Sequence, residues 1–215
     1  MREQRQEKLW AIVPLKSFAQ GKSRLSKGAC QAEREAFNLH CASHVLGVIQ
    51  NCSAVDEVLI ATNDDFVMNW SSGHALHCIR DREESSLNDT LNQSLAFAEL
   101  NGAGTAIILF ADLPFLDVAS LGVLVDLLEH SDCVLAPDRR SEGTNALGIR
   151  FPGKLDLHFE EPTSFKRHRE ACVRAQLSTR IVERFDLGFD VDLPVDFEEF
   201  KSLSGWTAPA SKSVS

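Results

Sequence analysis

Thr105-Ala106-Ile107-Ile108-Leu109-Phe110-Ala111 is the most strongly apolar run in the chain, and Asp112-Leu113-Pro114 follows it without a break. An uninterrupted apolar run of this length fits a strand buried on both faces. Pro114, which lacks an amide hydrogen, keeps that strand from continuing. Working outward, 9–15 (LWAIVPL) and 57–62 (EVLIAT) read the same way, and shorter strands are expected at 76–79, 133–136, 146–150 and 180–185. Between them apolar residues recur at helical spacing: Phe37, Cys41 and Val45 within 32–49, and Leu87, Leu91, Leu95 and Ala98 within 86–101. Further helices are predicted at 118–129, 164–176 and 194–200. Strands alternating with helices predict an α/β chain, a single-domain, mostly parallel sheet flanked by helices. Such sheets bind ligands beyond the carboxyl ends of their strands. The residues just after each strand are therefore the candidates for chemistry.

A chain of 215 residues suits one domain. The expected boundaries are 9–203 for the domain, with 1–8 and 204–215 as flexible termini, the second a small, polar tail. The formal net charge of -9 argues against a nucleic-acid partner, which calls for a basic footprint. No apolar run approaches the ~20 residues that span a bilayer, so no membrane partner is expected. The opening MREQRQEK lacks the apolar core of a secretory signal, and a cytoplasmic protein is expected. Six scattered cysteines contain no CxxC pair, which speaks for reduced, buried thiols rather than zinc or a redox motif.

Positive charge is concentrated where the fold makes it useful. After the first strand comes Pro14-Leu15-Lys16-Ser17-Phe18-Ala19-Gln20-Gly21-Lys22-Ser23-Arg24-Leu25-Ser26-Lys27. Lys16, Lys22 and Arg24, with Ser23 and the backbone near Pro14 and Gly21, suit a triphosphate at a strand end. Gly21-Lys22-Ser23 is not a phosphate-binding P-loop, because Lys16 stands where that motif needs its first glycine. Asp112 stands at the expected ligand edge. Asp190 and Asp192 alternate in an extended segment, so both can face one way. Mg²⁺ is held by one or two carboxylates plus phosphate oxygens and waters. Asp112, Asp190 and Asp192 are the candidate ligands, though Asp192 before Leu193-Pro194 is equally placed to cap the last helix. Asn88 opens a helix and is a candidate for a base or ribose contact. Thr144 and Asn145 either hold a ligand or shape a turn. Ser164 begins a helix with Lys166, Arg167 and Arg169 close behind, an arrangement suited to an anion.

Taken in order, these strings resemble the 2-phospho-L-lactate guanylyltransferase family of coenzyme F420 biosynthesis. The resemblance runs from Trp10 to about Phe200. It rests on Val13-Pro14-Leu15-Lys16 with Lys22-Ser23-Arg24-Leu25, Leu87-Asn88 with Leu91-Asn92, and Asp112-Leu113-Pro114. It continues through Ala136-Pro137-Asp138-Arg139-Arg140, Gly143-Thr144-Asn145-Ala146-Leu147, Ser164-Phe165-x-x-His168 and Asp190-Val191-Asp192-x-Pro194. It implies a fold like the GT-A nucleotidyltransferases and the nucleotide-diphospho-sugar transferases. It implies Mg²⁺ on Asp112, Asp190 and Asp192, with GTP and a phosphorylated three-carbon acid as substrates: 2-phospho-L-lactate, phosphoenolpyruvate or 3-phosphoglycerate. A downstream F420 transferase would receive the product, and a homodimer stays open. Thr144, Ser164 and position 161 match acid-contacting positions, with Asn145, Thr163 and His168 alongside. Many relatives carry Phe-Gly-Pro-Gly-Ser-Phe where this chain has Phe159-Glu160-Glu161-Pro162-Thr163-Ser164-Phe165. Glu161 and Thr163 thus imply a reshaped acid pocket, with a hydroxylated acid as the expected substrate. The rivals are a nucleotidyltransferase for molybdopterin or a sugar phosphate, disfavoured by a first loop with Gly21 as its single glycine, and a non-catalytic nucleotide-binding module.

Overall fold

The apolar run at 105–111 lies at the centre of a seven-stranded sheet. The computed structural model of the protein describes residues 7–19, 21–74, 76–80, 85–151 and 155–208. In chain order the elements are β1 (Lys8–Pro14), a 3-10 turn (Ser23–Lys27), α1 (Gln31–Asn51), β2 (Glu57–Thr62), α2 (Asp65–Ser72), β3 (His77–Arg80), α3 (Leu87–Leu100) and β4 (Ala103–Leu109). Then follow α4 (Val118–Glu129), β5 (Cys133–Pro137), β6 (Thr144–Arg150), α5 (Ser164–Arg174), β7 (Thr179–Ile181), α6 (Phe185–Gly188) and α7 (Pro194–Ser204). The sheet order is β3-β2-β1-β4-β6-β5-β7. β1, β2, β3 and β4 pair in parallel, as do β5 and β7; β6 alone is antiparallel to its neighbours β4 and β5.

Residues of β1 alternate between the two faces of the sheet. Leu9, Ala11 and Val13 join one core with α1, α2 and α4, whereas Trp10 and Ile12 join a second core with α3 and α5. Ala106, Ile107, Ile108 and Leu109 of β4 are wholly buried between those layers. Burial of each large apolar side chain contributes about 1.5–3 kcal/mol, so this strand anchors whatever follows it. Short polar devices set the helix starts. The Asp64 carboxylate accepts from Val67 N–H at the head of α2, and Ser86 with Asp89 forms a reciprocal cap on α3.

Three local expectations are corrected. The strand expected at 180–185 is only Thr179–Ile181, because Val182 turns into the core and Phe185 starts α6 against Phe115 and Phe189. The last helix runs on to Ser204 instead of ending at 200. Nor are the chain ends loose at the expected bounds. Lys8 already pairs in β1, and Trp206 packs on the rings of Phe37, Phe197 and Phe200 in a third core made by α1, the 3-10 turn and α7. Residues 1–6 and 209–215 of those expected termini lie outside the described residues. No helix among the described residues is long and apolar enough to cross a membrane.

Candidate active site

The first loop, the segment after β4, the β5–β6 turn and the segment before α7 meet at one edge of the sheet. Two cavities open there. One, of about 380 Å³, is lined by Pro14, Lys16, Lys22, Ser23 and Arg24 together with Asp112 and Asp192. The other, of about 480 Å³, is lined by Thr144, Asn145, Glu161, Ser164 and Asp190, and shares Arg24, Phe110, Asp112 and Asp192 with the first. The shared carboxylates are therefore the partition between a basic chamber and a second, mixed one. The reversal of β6 makes this possible. Its first residues, not its last, lie beside the end of β4, where Phe110 N–H donates to the Asn145 carbonyl at 3.2 Å.

Lys22 is the centre of the partition. Its Nζ donates to the carboxylates of Asp112 and Asp192, the latter at 2.6 Å, while Arg24 Nη1 stands 3.7 Å from Asp192. Lys22 also has φ 57 and ψ 40, a left-handed conformation that costs a non-glycine residue roughly 1–2 kcal/mol. The two ion pairs offset that cost. Burial alone would lower its pKa, but the charges of Asp112 and Asp192 outweigh burial and hold it above the ordinary lysine value. Gly21 lines the first cavity and is also packed closely: an added Cβ would lie 2.8 Å from Asn38 Nδ2. Lys16 is exposed beside the first cavity.

Asp190 and Asp192 do share a face, with Val191 buried behind them. Asp192 is not the cap of α7. Asp196 has that role, its carboxylate accepting from Leu193 N–H at 2.8 Å and Asp192 N–H at 3.2 Å. Asp196 also receives Arg139 Nη2 and Arg140 Nη2, each at 2.5 Å. Burial would raise its pKa; the Leu193 N–H and the two guanidiniums lower it instead. This buried carboxylate was missed in the sequence, where its signal is an acid two residues after the Pro194 that starts a helix.

Asp190 is held up at a pKa of about 7, by burial first and then by the charges of Asp112 and Asp192. With a folded value above the unfolded one of 3.8, its contribution to stability is complete below 3.8 and is lost as pH rises through about 7. Metal-free Asp190→Asn is therefore expected to be more stable than the parent at pH 8. The gain should be on the order of 2 kcal/mol, about half of what the shift would give at ~1.4 kcal/mol per unit, and should vanish near pH 4. Thermal melts in chelator across that range measure it, and identical melts at pH 8 would remove the burial argument.

Asp112 Oδ1 and Asp190 Oδ1 are buried with no hydrogen-bond partner among the described residues. Two such anionic oxygens fit a hard divalent cation that takes its other ligands from phosphate and water. Asp192 departs from the expected trio, since its oxygens face Lys22 and Arg24. Among the described residues no group of three or more His, Cys, Asp or Glu is placed to hold a metal ion.

On the other side of the partition, Thr144 and Ser164 are buried with their hydroxyls 3.4 Å apart. Glu161 is engaged locally, by a hydrogen bond with His158 Nδ1 at 2.9 Å and an ion pair with Arg167 Nε at 2.9 Å. The His158 hydrogen bond leads, and with Arg167 it lowers the Glu161 pKa against a smaller opposing effect of burial. Several expected contacts are used elsewhere. Asn88 Oδ1 accepts from Phe159 N–H at 2.9 Å and ties α3 to the loop beyond β6, so its amide oxygen is already engaged. Asn145 lines the cavity, but its amide donates to the Leu187 carbonyl at 3.0 Å. Thr163 is exposed and outside both cavities, and His168 is wholly buried behind Thr144. The cations after Ser164 do not converge on an anion: Arg167 faces Glu161, and Lys166 and Arg169 line a separate groove beside β7.

A chamber of cations joined to a second, mixed chamber through aspartates, on a sheet of this topology, is the layout of a nucleotidyltransferase. The fold is found in CMP:2-keto-3-deoxy-manno-octonic acid synthetase complexed with CTP, at a TM-score of 0.64 and 15% identity over 92% of this chain and 98% of that one. It is also found in a candidate nucleotide-diphospho-sugar transferase from Desulfovibrio desulfuricans G20, at a TM-score of 0.77 and 14% identity over 95% and 89%. The chain belongs to the family described as guanylyl transferase CofC like, whose model matches residues 9–205. Among curated relatives, a phosphoenolpyruvate guanylyltransferase of Rubrobacter xylanophilus is 31% identical over 92% of this chain and 95% of its own length. A 2-phospho-L-lactate guanylyltransferase of Methanothermobacter thermautotrophicus is 30% identical over 89% and 83%.

Proposed function

We propose that this protein transfers GMP from GTP to the phosphate of a small phosphorylated acid, releasing pyrophosphate, as a cytoplasmic step of coenzyme F420 biosynthesis. The observation that carries this reading is the carboxylate partition: Asp112 and Asp192 border both cavities. A nucleotide's phosphates on one side and an acceptor phosphate on the other would meet there. Lys16, Lys22 and Arg24 offset the triphosphate charge. The nucleoside end is assigned to an adjoining cavity of about 360 Å³ bordered by Thr62, Ser85 and Thr90, which shares Pro14 and Lys16 with the first. Asp112 and Asp190 would hold Mg²⁺, which when bound polarises the reacting phosphates and offsets charge on the leaving group. The acceptor needs no strong general base, because a phosphate ester with a second pKa near ~6 is already largely dianionic at neutral pH. The nucleotidyl product is a substrate for a downstream transferase.

The test is pyrophosphate release with GTP and Mg²⁺, offering phosphoenolpyruvate, 2-phospho-L-lactate and 3-phosphoglycerate separately, with the downstream transferase and its acceptor present. Release with GTP but not ATP or CTP, and with one acid, supports the reading and names the acid. Silence with all three, beside a working relative, moves the assignment to a sugar-phosphate or molybdopterin nucleotidyltransferase.

Thr163 lies outside the cavity, so its hydroxyl gives no support to a hydroxylated acid. Glu161 borders the cavity and occupies Arg167. A Glu161→Gly, Thr163→Gly variant releases that guanidinium and is expected to shift the relative kcat/KM of the three acids by about tenfold. An unchanged ranking would show that Glu161 does not select the acid.

A further inference from the structure

His168 is wholly buried, yet both of its ring nitrogens are committed. The backbone N–H of His158 donates to Nε2 at 2.9 Å, so Nε2 carries a lone pair. The ring is neutral at physiological pH, because burial first and the neighbouring His158 second push its pKa down to about 3. In a neutral imidazole with Nε2 as acceptor, the proton is on Nδ1. Nδ1 lies 2.9 Å from Thr144 Oγ1 and therefore donates to it. The Ser164 hydroxyl is 3.4 Å from the same oxygen.

The hydrogens of this trio can be counted. The bond between the two hydroxyls uses one hydroxyl proton. The other has no acceptor within the trio, because the remaining neighbour, Nδ1, is itself a donor. Thr144 and Ser164 both line the acid-side cavity, and that is the direction left for the spare proton. Acids outnumber cations on that lining: Asp138, Glu142, Glu160 and Glu161 border it, the Arg140 guanidinium is engaged by Asp196, and Arg24, the other cation there, stands 3.7 Å from Asp192.

We propose that His168 is a positioning residue that fixes the Thr144–Ser164 hydroxyl pair as a net hydrogen-bond donor into the acceptor cavity, so that the pair takes an anionic oxygen of the acceptor. This rests on the function proposed above and on the resemblance by which Thr144 and Ser164 match acid-contacting positions, and it adds what sets the direction of their hydroxyls. His168 does not touch the acid. It dictates which way a neighbouring hydroxyl points, and through the His158 backbone it holds the 158–161 loop against β6.

Two measurements test this. In ¹⁵N-labelled protein at pH 7, long-range proton–nitrogen spectra of the His168 ring, assigned by their loss in His168→Asn, should show Nδ1–H and an unprotonated Nε2. An Nε2–H ring overturns the proposal whatever the function is. In the pyrophosphate assay, His168→Leu and Thr144→Val should each raise KM for the acid about 10- to 100-fold, the usual effect of losing a buried hydrogen bond to a charged group, with KM for GTP within about twofold. The double variant should be little worse than either single one, because both remove one interaction. His168→Asn, which keeps a donor near the place of Nδ1, should recover most of the loss. An unchanged acid KM in folded His168→Leu, or additive effects in the double variant, would refute it. Should His168→Leu fail to fold, Thr144→Val and His168→Asn decide the matter: an acid KM unchanged by Thr144→Val overturns the proposal. A parent protein silent with every acid removes the functional reading, and the tautomer alone then upholds or overturns the donor geometry.

Discussion

Asp112→Asn is expected to lower kcat about a thousand-fold while leaving the fold intact. The side chain keeps its size, and an amide oxygen can still accept from Lys22, so the packing around β4 is undisturbed. What is lost is a formal negative charge at a buried oxygen with no other partner. If Asp112 holds the metal, its loss weakens a stabilisation of the reacting phosphates worth several kcal/mol, and ~4 kcal/mol corresponds to about three powers of ten in rate. Steady-state pyrophosphate release, with a thermal melt on the same sample, separates the two effects. Turnover within a few-fold of the parent would rule Asp112 out of the metal site.

Lys22→Met is the second large effect, and its two consequences have opposite signs. Without metal, Lys22 is the cation that pairs with Asp112 and Asp192 beside Asp190. Its raised pKa means that this contribution is complete below the unfolded value of 10.5 and fades only above the folded one, so it is fully present at pH 7. Removing one partner of a buried pair leaves uncompensated charge, and the metal-free variant should lose about 3 kcal/mol of stability. Mg²⁺ alone should then stabilise the variant more than the parent, because no ammonium competes for Asp112. In the parent, Mg²⁺ is expected to bind well only with a nucleotide whose phosphates would draw Lys22 away. Melting temperatures with and without Mg²⁺, in the absence of nucleotide, read both signs. A parent as strongly stabilised by Mg²⁺ alone as the variant would remove the competition.

The strands and helices that the sequence made legible are those whose signal is local. β1, β2 and β4 are apolar runs, and α1 and α3 carry apolar residues at one helical spacing, so their positions follow from residues a few places apart. Lys22, Asp112 and Asp192 were legible as members of one site, though not as ion-pair partners, because each follows a strand or an extended segment that a parallel sheet brings to one edge. The direction of β6 was not legible in the same way, since an apolar run reads identically in either sense. Nor was the pairing of Asp196 with Arg139 and Arg140, which joins residues 56 and 57 positions apart. Asn88 and His168 show the limit most clearly. Both lie in strings that resemble the family's, yet one is tied to a backbone amide and the other stands behind a threonine. Which way a polar side chain turns is decided by neighbours remote in sequence.

The reversed strand divides the protein along a line useful for engineering. The nucleotide chamber draws on the loop after β1, while much of the acceptor chamber comes from the turn at 138–143, the first residues of β6 and the segment at 159–164. On the proposed function, acceptor choice would be carried on a transplantable cassette. A chimera that exchanges this turn and that segment with a relative should change which acid is used and leave GTP in place. The graft has one condition. Arg139 and Arg140 must travel with it or be retained, because they hold Asp196, and Asp196 fixes the backbone from which Asp192 reaches the other chamber.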